Sequence, residues 1–264
     1  MKRTGLTALL CCTVLALGLS AQQWAQQRLD RSPRHRQIVL LHPEGRTLQA
    51  FVAYPETSGP RPVVLVIHEI FGLSAWAQEV TDELAAAGYV AIAPDLLSGK
   101  GPAGGGTAIF PNQTAISRAL VTMPPAEIAA DLDAAADWAL QQPASNGKLY
   151  VIGFCWGGTQ SFRYATHRHD LRAALVFYGM PPDRTAVEQI TAPVYGFYAG
   201  NDARVSLTVP GTRTLLAQLH KRYRAVIYKG AGHGFMRAGE QPDPTPANKA
   251  ARTAAWKQIA RIIR

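Results

Sequence analysis

Hydrophobic positions along this chain follow two rhythms that alternate in order. One is the short, nearly continuous apolar run. PVVLVIHE (62–69), YVAIAPD (89–95), KLYVIGFC (148–155), RAALVFYG (172–179), PVYGFYAG (193–200) and YRAVIYKG (223–230) are of this kind, and such runs predict strands buried on both faces. The other is the amphipathic stretch of helical period. It predicts helices over Ser74–Ala87, closed by Gly88, and over 126–142 after Pro124-Pro125. Further helices are predicted over 156–167, in a short piece before 193, over about 208–221 and over about 246–263. In the last of these Trp256, Ile259 and Ile263 recur on one face, widened by Ile262. Ahead of the alternation, QIVLLHP and TLQAFVAYP flank a Pro-Glu-Gly-Arg turn at 43–46 and predict an antiparallel hairpin. The expected architecture is therefore α/β, a mostly parallel, doubly wound sheet with an antiparallel N-terminal hairpin. In such sheets ligands bind beyond the carboxyl ends of the strands.

The first residues follow a different pattern. Lys2 and Arg3 precede the apolar run LTALLCCTVLALGLSA (6–21), which ends in small residues and is followed by Gln22-Gln23. That is the layout of a signal peptide, cut near Gly18 or Ala21. It predicts a secreted or periplasmic protein with no stable membrane insertion after cleavage. No lipoprotein-type box precedes Cys11 and Cys12, so no lipid anchor is expected. Residues 22–36 are polar and are expected to form a loose segment, with one domain over 37–264.

Composition narrows the function classes. The 264 residues are 47% hydrophobic and 17% charged, a globular balance. The net charge of +9 is spread over scattered arginines and lysines with no recognition module, which argues for a solvated basic surface and against nucleic acid. The seven histidines show no ligand spacing, so no metal is expected. The oligomeric state is open.

Removing the signal peptide leaves one cysteine of three, Cys155. It lies in Gly153-Phe154-Cys155-Trp156-Gly157-Gly158, between an apolar run and a helical stretch. A nucleophile held between glycines at a strand-to-helix turn is a nucleophile elbow, which lifts the side chain above the sheet at a helix N-terminus. The helix end favours the thiolate. Asp202 stands just past one later strand end, and His233 in a glycine-flanked loop past the last strand. The order Cys155, Asp202, His233 is the α/β-hydrolase order of nucleophile, acid and histidine. His233 would take the thiol proton and Asp202 would hold the imidazole tautomer. The strand PVVLVIHE ends in His68 and Glu69, and the amides of Ile70 and Trp156 are candidate oxyanion-hole donors. Trp156, Phe71 and Tyr178 are candidates for an apolar pocket wall.

HEIFG (68–72), PDL (94–96), GFCWGG, GNDARV (200–205) and GHGFMR (232–237) together resemble the dienelactone hydrolases, or carboxymethylenebutenolidases, from about residue 37 to the end. The resemblance implies an α/β-hydrolase fold, no cofactor and a Cys155–His233–Asp202 triad. It implies that Glu69 helps activate the thiol and that Arg237 contacts a substrate carboxylate. A second carboxylate-binding arginine of that family falls here on Gly99, with Lys100 adjacent and Arg118 in the loop beyond. The expected function is an exported hydrolase acting on a small ester or lactone through an acyl-cysteine. The alternatives are an esterase or thioesterase for a larger or neutral acyl substrate, and a non-catalytic binding or redox-sensing protein on a hydrolase scaffold.

Overall fold

A computed structural model describes residues 22–264. The segment expected to be a signal peptide lies outside them. Eight strands form one sheet: β1 (Arg36–Leu41), β2 (Leu48–Ala53), β3 (Arg61–Ile67), β4 (Val90–Pro94), β5 (Ser145–Phe154), β6 (Leu171–Phe177), β7 (Val194–Ala199) and β8 (Tyr223–Tyr228). Their order is β1-β2-β4-β3-β5-β6-β7-β8. β1 pairs antiparallel with β2, and β2 with β4; the other pairings are parallel.

The apolar runs are buried on both faces as their composition requires. In β3, Val64 and Val66 face one core while Val63, Leu65 and Ile67 face the other. The first core is closed by α1 (Gln23–Arg31), α2 (Ala75–Ala86) and the C-terminal helix. The second is closed by α4 (Pro125–Leu140) and α5 (Trp156–His167), which α3 (Gln113–Val121) precedes in the chain. Beyond α5 come the short α6 (Arg184–Val187) and α7 (Ala203–Ser206), then α8 (Val209–Gln218), the short α9 (Phe235–Ala238) and α10 (Pro246–Ile262). Ser74 caps α2 by accepting from Ala77 N, and Thr245 caps α10 by accepting from Asn248 N. Of the stripe expected on α10, Ile259 and Ile263 are fully buried and Trp256 and Ile262 pack against them.

Two expectations are corrected. Residues 22–36 are not loose, since Gln23–Arg31 is the helix α1. Ala25 and Leu29, four residues apart, bury against the first core, and the polar residues around them make specific contacts. Arg28 pairs with Glu79 and with Glu240, Arg34 with Asp82, and Ser32 Oγ donates to Asp82 at 2.9 Å. The segment around Arg118, expected as loop, holds α3, capped by Asn112 accepting from Ala115 N. Among the described residues no helix is long and apolar enough to cross a membrane.

Candidate active site

β5 ends at Phe154, and Cys155 turns the chain into α5 with φ 56° and ψ −117°. A non-glycine residue in that region is strained. It is held by Cys155 N donating to Phe177 O at 3.0 Å and by Thr159 N donating to Cys155 O at 3.2 Å. The glycines leave no room for a side chain. A Cβ on Gly157 would collide with the carbonyls of Ile67 and His68, and one on Gly153 with that of Gly157. Helix α5 therefore starts directly against the end of β3.

Residues from four other strand ends converge on the thiol. His233, in the loop after β8, has Nε2 3.0 Å from Cys155 Sγ. Its Nδ1 lies 2.5 Å from Asp202 Oδ2. Asp202 follows β7, caps α7 and is buried. Tyr178, past the end of β6, is buried with φ 40°, packs edge-on against the His233 ring at 5.0 Å, and reaches Glu69 Oε1 at 3.5 Å.

Glu69 follows β3. It is 2% exposed and accepts from Arg237 Nε at 2.8 Å. Burial raises its pKa, opposed chiefly by Arg237. The Arg237 guanidinium lies over the Phe71 ring, 4.9 Å from its centroid. Burial pushes the Cys155 thiol up, and Glu69 pushes it further; the backbone N–H groups of Trp156 and Ile70 and the charge of Arg204 pull it back. On balance the thiol's pKa lies above its ordinary value.

The structure thus brings together Cys155, His233, Asp202, Glu69, Tyr178 and the amides of Ile70 and Trp156. Arg237 is present, but it is paired with Glu69. Phe71 packs on Arg237 and Trp156 stacks on His68 at 5.8 Å. Of the two cations weighed for the position left bare at Gly99, Lys100 pairs with Glu127 at 2.5 Å, in a cluster with Arg46 and Asp131. Arg118 is exposed on α3.

Sequence reasoning missed Arg204. This exposed residue, two past Asp202, has no carboxylate within ion-pair distance among the described residues, and its charge acts on Cys155. Its position inside GNDARV was the available signal. Sequence reasoning also missed Gln113 and Ser117 of α3. Gln113 Nε2 donates to Ile70 O at 2.8 Å and Ser117 Oγ at 3.4 Å, so this helix steadies the Ile70 loop. Glu79, Glu83 and Glu240 come within metal-ligand reach of one another beneath α1. Arg28 and Arg252 already answer them there.

A strained residue at a strand-to-helix elbow, with a histidine and an acid from later strand ends, places the chain in the α/β-hydrolase class. It belongs to the dienelactone hydrolase family, whose profile ("Dienelactone hydrolase family") matches residues 48–264. It is 32% identical over 215 residues to a Salmonella typhi protein named "Putative carboxymethylenebutenolidase", covering 75% of this chain and 77% of that one. It is 31% identical over 206 residues to the "Carboxymethylenebutenolidase" of Pseudomonas putida, covering 74% and 83%. The crystal structure of a "Putative Dienelactone Hydrolase" from Klebsiella pneumoniae subsp. pneumoniae superposes with a TM-score of 0.74 at 27% identity, covering 86% of this chain and 97% of that one. The protein is accordingly a hydrolase of this family, and its substrate class is a small molecule.

Proposed function

We propose that the protein is an exported hydrolase that opens a small ester or lactone, dienelactone-like, through an acyl-Cys155 intermediate. The observation that carries this reading is the hydrogen-bonded row from Sγ to His233 Nε2 at 3.0 Å and from Nδ1 to Asp202 at 2.5 Å, at an elbow facing two backbone N–H groups. His233 takes the thiol proton as Sγ attacks the carbonyl carbon, and the C=O electron pair moves to oxygen. The Ile70 and Trp156 amides hold that oxyanion. As the pair returns, the C–O bond breaks and the leaving oxygen takes the proton from His233. Water then attacks the thioester, passing its proton to His233, and the acid leaves as the thiol is reprotonated. These steps use only groups of the chain and water. Export rests on the basic and apolar layout of residues 1–21.

Intact-mass spectrometry tests this on the mature protein incubated with p-nitrophenyl acetate and with a dienelactone. The expected result is an acetyl adduct on Cys155 with p-nitrophenol release, both absent from Cys155→Ala. A Cys155→Ala variant that keeps most of the turnover would overturn the mechanism. The Arg237–Glu69 pair and the bare position at Gly99 favour a second reading, a neutral or larger acyl substrate. Turnover of neutral esters with none of carboxylate-bearing lactones would select it.

A further inference from the structure

His68 is fully buried at the end of β3 and takes no part in the row of groups around the thiol. Burial lowers its pKa, so the ring is neutral. Its Nδ1 lies 2.8 Å from the carbonyl oxygen of Glu69. A carbonyl only accepts, so the proton sits on Nδ1. Nε2 is left buried without a partner. Asp95, whose charge reaches the ring, is already bonded to Leu97 N, Thr107 N and Thr107 Oγ1. An orphaned ring nitrogen in the core is costly. The compensating feature is the location of the other one.

The carbonyl of Glu69 and the N–H of Ile70 are the two ends of one peptide unit. That oxygen receives the His68 proton and, at 3.1 Å, the N–H of Gly72. Two donors at the oxygen fix the plane of the peptide and polarise its N–H, which faces Cys155 Sγ. The same ring stacks on Trp156, centroids 5.8 Å apart and planes within 15°. Trp156 bears the other N–H that faces Sγ. The contact of Gly157 with the carbonyls of Ile67 and His68 locks the two backbones at this point.

We propose that His68, as its Nδ1–H tautomer, is a positioning residue that orients both oxyanion donors, one through the Glu69–Ile70 peptide and one through the Trp156 ring. The role in turnover rests on the acyl-transfer reading above. Preorganised donors are worth more than flexible ones because they need not reorient as charge develops.

Three variants separate the two contacts. His68→Phe keeps an aromatic face and removes the donor. His68→Asn keeps an N–H where Nδ1 stood and removes the ring. His68→Leu removes both. With p-nitrophenyl acetate, His68→Phe should lower kcat by about a hundredfold, the scale of one lost oxyanion donor, with KM within threefold of wild type. His68→Asn should recover at least tenfold of that loss, and His68→Leu should be the slowest. Alkylation of Cys155 by iodoacetamide forms no oxyanion, so its limiting rate at high pH, where the thiol is ionised in every variant, should stay within threefold in all three, while its pH profile moves upward as the amides turn from Sγ. A His68→Phe variant with wild-type kcat would overturn the proposal. So would a parallel loss of kcat and of the limiting alkylation rate, which marks a merely structural histidine. Nuclear magnetic resonance of the labelled protein judges the positioning without turnover. It should show the Nδ1–H tautomer and an Ile70 amide proton that shifts in His68→Phe; the Nε2–H tautomer would refute it. A wild type that gives both signals and hydrolyses no ester would sink the acyl-transfer reading instead.

Discussion

The thiol of Cys155 is pulled in opposite directions by its neighbours. Burial and Glu69 keep its proton on, while two amides and Arg204 favour its loss. Arg237 is already paired with Glu69, whereas Arg204, whose charge also acts on the thiol, has no carboxylate within ion-pair distance among the described residues. Arg204 is therefore the candidate partner we propose for a carboxylate on the substrate. Arg204→Gln should raise KM for a carboxylate-bearing lactone about tenfold, about 1.4 kcal/mol, and leave that for p-nitrophenyl acetate unchanged. It should also move the pH profile of iodoacetamide alkylation upward, since a charge favouring the thiolate is gone. Equal KM changes for both substrates would refute the assignment. At this scale the sequence was informative where chemistry is local. Cysteine among glycines, aspartate after a strand and histidine between glycines each carry their own signal. The pairing of Arg237 with Glu69 spans the fold from β3 to α9 and leaves no mark on either segment. Neither does the lack, among the described residues, of a carboxylate partner for Arg204.

The junction of α5 with β3 is where two elements share one geometry. Gly157 sits against the carbonyls of Ile67 and His68, so a methyl there pushes the helix off the strand. Gly157→Ala should cost on the order of 2 kcal/mol or more in stability, and kcat should fall at least a hundredfold because both amides facing Sγ move. Thermal unfolding and initial rates measure the two. Gly211→Ala is the control: a Cβ there meets nothing within 4 Å on helix α8, and the change should stabilise by up to about 1 kcal/mol. The long elements were legible because burial writes a continuous apolar run or a helical stripe. Helix α1 was not. QWAQQRLDR offers Ala25 and Leu29 as its buried positions, with Trp24 packed beside them, and Arg28 reaches carboxyl groups some fifty or more positions away. Helix α3 was hidden in the same way, with Leu120 its one fully buried side chain.

Beneath α1, the molecule as a whole is joined by a cluster of like charges. Glu79 is pushed up to about 9, first by burial, then by Glu240 and Glu83. The folded chain keeps that proton to about pH 9, and an unfolded chain releases it near its ordinary value of 4.5. Between those values the folded state binds more protons, so stability falls as pH rises. Melting curves from pH 6 to 9 should show it. A loss of on the order of 2 kcal/mol lowers Tm by roughly 4–8 °C in a chain of this size. Glu79→Gln, which imitates the protonated form, should flatten the curve and melt higher than wild type at pH 9. A wild type whose Tm holds constant across this range would refute the cluster's role. The dependence involves three parts of the chain, since Arg28 of α1, Glu79 and Glu83 of α2, and Glu240 and Arg252 near the C-terminus meet there.

Cys155 is half-buried, and it is the sole cysteine among the described residues. On the proposed reading, in which residues 1–21 are removed and Cys155 is the nucleophile, a count of reactive sulfur in the folded protein is a count of competent centres. One equivalent of a chromogenic thiol reagent gives the denominator for every rate constant. A stored preparation can be audited the same way: its activity should decline in proportion to the sulfur that no longer reacts.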